Sequence, residues 1–110
     1  MATMKYKVVS DSMMPLIPIG AELILEKYHP EMELKKFDIL VFKDNNILVC
    51  HYLWHQNKVM DKDRVRTRAL KSGKVDVPFS TDRIIGVVTN YKINWWMKIK
   101  IYLTKKRKST

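Results

Sequence analysis

Two serines near the N-terminus and one histidine, His51, combine residue types and positions that could perform acyl-transfer chemistry. Ser10 and Ser12 are followed by a cluster of prolines and a glycine, which predicts a loop or turn over residues 10–20. A serine on a short turn can project its hydroxyl into a cleft and offer its own backbone N–H to a developing oxyanion. His51 could act as the base, because an imidazole with an ordinary pKa of about 6.5 is largely neutral at pH 7. Taken alone, such residues are more often a loop or helix-capping serine and a structural histidine.

Short apolar runs separated by turn signals must position these residues. β-rich runs occur at 22–26, 37–42, 47–54 and 84–91, and the Asp/Asn turn at 44–46 joins the second run to the third. Two such runs around a short turn predict a β-hairpin. Because no convincing amphipathic helix occurs before residue 90, we predict an all-β fold, either a sheet or a small, partly closed β-barrel.

The predicted hairpin carries His51 on its second strand. Since successive side chains of a strand point to opposite faces, Cys50 should face away from His51. A Cys–His nucleophile pair is therefore geometrically poor. Cys50 is interpreted as a small, buried apolar residue.

Four segments, in order along the chain, resemble one known family. Residues 10–20 (SDSMMPLIPIG) look like the S-x-S-M-x-P…G motif of type I signal peptidases and of their LexA-repressor relatives. Residues 36–42 (KFDILVF) resemble the G-D-I-V-V-F strand of that family, and residues 47–52 (ILVCHY) resemble the strand that ends in its general base. Residues 80–88 (STDRIIGVV) resemble its closing motif. The resemblance covers most of the chain before the C-terminal segment.

The resemblance implies a role for individual residues of these motifs. Ser12, which directly precedes a methionine, would be the nucleophile, and Ser10 would lend its hydroxyl to the oxyanion hole. Met13 and Pro15 would contact the substrate. His51 stands where most bacterial members have a lysine, so the chain is most similar to the Ser–His branch of the endoplasmic reticulum and the archaea.

A third residue would orient the imidazole through its second nitrogen. Two carboxylates are candidates for this position. Asp82 lies in the closing motif, which favours it. Asp76 lies where the Ser–His branch has an acidic segment, although the G-D-N signature of that segment is missing here.

These assignments predict a serine endopeptidase that cleaves a peptide or a leader-like protein segment, bound as an added strand at a sheet edge. The substrate class comes from the resemblance. Three departures motivate a second class, a catalytically inactive family member that binds a peptide or a partner protein. Asp11 replaces the usual glycine between the serines, Phe37 replaces the glycine before the strand motif, and Tyr52 replaces the basic residue after the base.

The distribution of charge divides the chain near residue 91. The net charge is +10, and residues 92–110 hold seven basic residues and no acid, which leaves +3 for residues 1–91. We therefore predict a catalytic domain at 1–91 and a basic aromatic tail at 92–110. Trp95 and Trp96 beside this basic run suit peripheral contact with an anionic membrane. The other interpretations are a final element packed on the body and, least favoured because the body is only mildly basic, nucleic-acid binding.

Composition argues against several other classes. A single cysteine allows no internal disulfide. His29 and His55 lack partners at metal-ligand spacing and no glycine loop could cradle a phosphate, so we expect no metal and no cofactor. No apolar run reaches about 18 residues, and the N-terminus is too short and polar for a secretory signal. We expect a cytoplasmic or peripherally membrane-associated protein.

Overall fold

A computed structural model describes residues 3–59 and 62–108 of the 110-residue chain. Within these residues, antiparallel strands form one seven-stranded sheet in the order β1-β2-β7-β3-β4-β5-β6. The strands are β1 (Thr3–Lys7), β2 (Glu22–Lys27), β3 (Ile39–Asp44), β4 (Ile47–Val59), β5 (Lys62–Arg68), β6 (Phe79–Ser80) and β7 (Ile84–Val88). A 3-10 turn (Thr81–Arg83) precedes β7, and helix α1 (Trp95–Lys108) follows it. The prediction of a small all-β protein is confirmed at this level.

β3 and β4 form the predicted hairpin, and the residues of its turn explain why. Asn45 and Asn46 both have positive φ angles, of 48° and 68°. A two-residue type I′ turn needs this backbone at both positions, and asparagine tolerates it better than most residues. The turn sets the register, which pairs Leu40 with His51.

A hydrophobic cluster covers each face of the sheet. The face that carries α1, the helix face, buries residues that include Met13, Ile17, Ile39, Val41, Cys50, Tyr52, Ile93 and Ile101. The opposite face, the histidine face, buries Leu34, Leu40, Phe42, Leu53, Val65, Phe79 and Ile84. His51 lies on the histidine face, with its ring 5.9 Å from that of Phe42. Cys50 and His51 therefore face apart, as the strand alternation predicted.

The segment after residue 91 contributes to the same core as the strands. Ile93 and Ile101 are both buried on the helix face, so the first half of α1 packs on the sheet. The basic run at 105–108 lies outside the residues whose side chains the structure describes. In the described part of the chain, no helix has both the length and the apolar character needed to cross a bilayer.

The strands differ from the predicted pattern in several bounds: β4 extends to Val59, β7 ends at Val88, and the largest differences concern β1 and β3. β1 was not predicted, because its alternating, largely polar sequence gives a weak strand signal, but it pairs with β2 along its whole length. β3 begins two residues later than predicted, because Phe37 has a φ of 77°. Glycine adopts this left-handed backbone at the lowest cost. It is also the position at which the family that the sequence resembles has glycine.

Candidate active site

Ser12 lies in the turn segment between β1 and β2, against the edge of β4. Its hydroxyl donates a hydrogen bond to the backbone carbonyl of Cys50 at 3.3 Å, and the Ser10 hydroxyl lies 3.3 Å away from it. The pairing of β5 with β4 begins only two residues further along, so this carbonyl lies beyond the end of β5. The open edge of β4 thus brings Ser12 to the residue next to His51.

The backbone around Ser12 is held from two sides. The Lys71 backbone N–H donates to the Ser12 carbonyl at 2.9 Å, and the Lys71 ammonium group pairs with the carboxylate of Asp11. This hydrogen bond from Lys71, with the charge of its ammonium group, lowers the pKa of Asp11. Asp11, which replaces a glycine of the family motif, therefore stands beside Ser12 as a carboxylate paired with a cation.

Met13 and Pro15, both predicted to contact substrate, lie in different surroundings. The Met13 side chain is only 1% exposed and belongs to the helix-face core. The Met13 side chain is therefore packed inside the protein, where it anchors the Ser12 segment, so a substrate contact at this residue would have to come from its backbone. Pro15 is exposed and lines a cleft on the helix face.

A hydrogen-bonded pair of His51 and Asp76 lies on the histidine face. Nδ1 of His51 is 2.5 Å from Oδ2 of Asp76, and the Thr67 hydroxyl donates to the same oxygen at 2.6 Å. Burial raises the pKa of Asp76, but the hydrogen bonds from His51 and Thr67 outweigh burial and hold this pKa below its ordinary value. Asp76 is therefore an anion that favours a proton on Nδ1 and leaves Nε2 as the acceptor.

The chain after β5 folds back to place this carboxylate. Gly73, with a φ of 71°, allows the reversal, and its N–H bonds the Ala69 carbonyl at 3.0 Å. The Asp76 N–H then bonds the Thr67 carbonyl at 2.8 Å. Thr67 is fully buried on β5. Its role as a donor to Asp76 was not predicted.

The two candidate carboxylates lie in different surroundings. Asp82 lies exposed on the 3-10 turn, beside a cleft that also includes Asn45 and Asn46. Within the described residues, Asp82 makes no hydrogen bond or ion pair with His51. The structure thus places Asp76 against the imidazole, and not the Asp82 that the closing motif favoured.

Ser12 contacts Cys50, the chain neighbour of His51, but no hydrogen bond joins Ser12 to His51 among the residues that the structure describes. The Ser12 hydroxyl is directed to the Cys50 carbonyl, and Nδ1 of His51 is directed to Asp76. Transfer of a proton from Ser12 to Nε2 therefore requires the hydroxyl to turn away from that carbonyl. Hydrogen bonds between catalytic groups are often long in the free enzyme and tighten when substrate binds.

The pair opens onto a cleft of about 310 Å³. Val75, Val77 and Phe79 supply apolar surface there, and Val77 is 82% exposed. A titratable pair at one side of a partly apolar cleft is the usual setting of a binding site for a peptide or small molecule. Among the described residues, no three His, Cys, Asp or Glu side chains gather as metal ligands.

The stability conferred by Asp76 should depend on pH. Because its pKa is lowered in the folded protein, this stability is present above the ordinary pKa of a carboxyl group and is lost as the pH falls through the lowered value. We expect the difference in unfolding free energy between the wild type and Asp76→Asn to be larger at pH 7 than at pH 3. Urea denaturation at both pH values measures it, and a difference that grows towards low pH would contradict the assignment.

The thiol of Cys50 should be unreactive in the folded protein. Burial raises the pKa of Cys50 to about 12, and only the thiolate is a nucleophile. We expect almost no reaction with a disulfide reagent such as DTNB at pH 8, and one thiol per chain after denaturation in guanidinium. Rapid reaction of the native chain would show that β4 exposes this face.

Comparisons of the chain with protein-family models, with curated proteins and with solved structures gave no match.

Proposed function

We propose that this protein is a serine endopeptidase with the catalytic-domain fold of the signal-peptidase and LexA type, in its Ser–His branch. The observation that carries the proposal is the 2.5 Å hydrogen bond between His51 and Asp76, reinforced by Thr67. It lies one residue along β4 from the carbonyl that holds Ser12. A partly buried carboxylate that orients an imidazole, with a serine held at the next residue of the same strand, is close to the arrangement that activates serine as a nucleophile.

The proposed reaction uses each of these groups in turn. The Ser12 oxygen attacks the peptide carbonyl while Nε2 of His51 takes its proton, and the Ser12 N–H with the Ser10 hydroxyl stabilises the oxyanion. His51 then protonates the leaving amine, which leaves an ester on Ser12. Water attacks this ester, with His51 accepting its proton, and His51 then returns that proton to the Ser12 oxygen as the acid product is released. Asp76 remains ionised throughout and stabilises the imidazolium that forms twice.

Covalent labelling with a fluorophosphonate tests this proposal on the folded chain. We expect one adduct per chain, which peptide mapping assigns to Ser12. Ser10→Ala is the matched variant that keeps the nucleophile, and it should still be labelled, whereas Ser12→Ala should not. A chain that keeps its β-sheet circular dichroism but forms no adduct would favour the second class, a family member that binds peptides without cleaving them.

We also propose that α1 contacts an anionic membrane surface. Trp95, Ile99, Tyr102 and Leu103 are exposed, and their spacing places them along one side of the helix. Trp96 is exposed as well, with its ring 4.5 Å from that of Trp95. Residues 92–110 contain no acid, so charge complementarity selects a negative surface over a neutral one.

Sedimentation with lipid vesicles tests this second proposal. We expect the chain to bind vesicles that contain phosphatidylserine, to bind pure phosphatidylcholine weakly, and to lose binding when Trp95 and Trp96 are both replaced by serine. Val77→Ser removes a still more exposed apolar residue outside α1 and should leave vesicle binding unchanged. Binding that survives the loss of both tryptophans would contradict the proposal.

A further inference from the structure

A half-open cleft of about 200 Å³ lies on the helix face, on the opposite side of the sheet from the His51–Asp76 pair. Tyr52 and Arg68 are direct partners in the pairing of β4 with β5, and both line this cleft. Pro15 of the Ser12 segment and Lys100 of α1 close it from the sides. The cleft is distinct from the one that His51 and Asp76 border.

Arg68 is a buried cation without a counter-charge. Its side chain is 3% exposed, its Nε donates to the Gly73 carbonyl at 2.9 Å, and its guanidinium carbon lies 4.7 Å from the centre of the Trp54 ring. Its Nη1 is buried with no hydrogen-bond partner. Within the described residues, no carboxylate pairs with it. Buried charges in proteins are normally paired, so this donor indicates a missing anion.

A second unpartnered donor lies in the same cleft. The Tyr52 side chain is fully buried, and its hydroxyl lies close enough to Arg68 for the guanidinium to oppose the rise of its pKa, but no hydrogen bond of normal geometry joins the two. Burial raises the pKa of Tyr52 to about 12, so the hydroxyl carries its proton at neutral pH. Lone buried polar atoms are rare in folded proteins, and two on neighbouring strands that line one opening call for a shared explanation.

We propose that this cleft binds a carboxylate, with Nη1 of Arg68 and the hydroxyl of Tyr52 as its donors. A guanidinium presents its N–H groups in a planar fork that matches the two oxygens of a carboxylate. Lys71 and Lys100 also line the cleft, and no acidic side chain lines it among the described residues. Lys71 is already paired with Asp11, so Arg68 is the cation that the ligand must balance.

The position of the cleft suggests two sources for this carboxylate. The Ser12 segment contributes Pro15 to the cleft, and Lys71 joins the cleft to the Ser12 backbone through the 2.9 Å hydrogen bond. A peptide bound at Ser12 could therefore place an acidic side chain here. A free dicarboxylate of similar size would satisfy the same donors. The binding inference stands or fails independently of the chemistry of Ser12.

Titration of the ¹⁵N-labelled full chain tests the proposal at constant ionic strength. The probes are glutarate, the peptide acetyl-Ala-Glu-Ala-amide, its Gln counterpart, and inorganic phosphate. We expect saturable shifts of the arginine Nε–H signal with the Glu peptide, with glutarate, or with both, and binding of the Gln peptide weaker by about tenfold or more. Binding of glutarate alone identifies a free carboxylate as the ligand, and binding of the Glu peptide alone identifies a peptide side chain. Equal binding of the two peptides without binding of glutarate, tighter binding of phosphate, or no shift with any probe would overturn the proposal.

Variants separate binding from folding. Arg68→Met should weaken carboxylate binding by about tenfold or more, while Arg66→Met, on the exposed side of β5, should leave it unchanged. Without ligand, Arg68→Met should be as stable as the wild type or more stable, because it removes an unbalanced buried charge. If Arg68→Met does not fold, Tyr52→Phe decides the question, since it removes one donor and keeps the packing. Carboxylate binding unchanged in Tyr52→Phe and in any folded Arg68→Met would overturn the assignment.

Discussion

In Asp76→Asn, the rate at which a fluorophosphonate acylates Ser12 is expected to fall by about three orders of magnitude or more. The carboxylate of Asp76 accepts hydrogen bonds from both His51 and Thr67. An asparagine amide could place its oxygen at the position of Oδ2, but without the negative charge that holds the proton on Nδ1, or it could turn its NH₂ group towards Nδ1. The second arrangement moves the imidazole proton to Nε2, where the ring can no longer accept the Ser12 proton.

Asp82→Asn is the matched control for this prediction. It makes the same chemical change in an exposed carboxylate that the sequence motif favoured but that lies away from the imidazole. Its acylation rate should stay within about twofold of the wild type, since isolated surface substitutions have small effects. Equal losses in the two variants, or a loss in Asp82→Asn alone, would remove Asp76 from the proposed catalytic set.

The hairpin could be predicted from the sequence because its determinants are local. Asn45 and Asn46 fit a turn that needs two left-handed residues, and the alternation along β4 separates Cys50 from His51. These properties depend on neighbours within a few residues. The structure therefore agrees with the predicted turn and with the predicted facing of Cys50 and His51.

The choice between Asp76 and Asp82 could not be made in this way. It depends on how the chain after β5 reverses at Gly73 and returns beside Thr67, which is a tertiary arrangement. Met13 shows the same limit. Its motif marked it as a neighbour of the nucleophile, but the motif does not reveal that its side chain turns into the core and holds the Ser12 segment from inside.

Gly86 lies on β7, the strand that connects the two parts of the candidate site. β7 lies between β2 and β3, so it joins the strands that flank Ser12 to the hairpin that carries His51. Lys27 and Val41 are the partners of Gly86 on its two sides. Displacement of β7 would therefore separate the two candidate catalytic residues as well as weaken the sheet.

Gly86→Ala is expected to lower the free energy of unfolding by about 2–3 kcal/mol. A Cβ atom at this position would lie 2.8 Å from the Glu26 carbonyl oxygen and 3.0 Å from the Leu25 Cβ, both on β2. Either β2 or β7 must therefore move. Because domains of this size are stable by only about 5–15 kcal/mol, this is a large share of the total. Urea denaturation followed by tryptophan fluorescence measures it, and fluorophosphonate labelling of Ser12 should slow in the variant even where it remains folded.

Gly20→Ala distinguishes steric conflict from the general effect of replacing a glycine. A Cβ at Gly20 meets no atom within 4 Å, but its φ of 90° strains any other residue. The backbone strain should cost about 1–2 kcal/mol, without any displacement of β7. Gly86→Ala should therefore slow the labelling of Ser12 more than Gly20→Ala does at equal fractions folded. If labelling of Ser12 slows equally in the two variants, β7 does not align Ser12 with His51. The sheet would then support each residue separately.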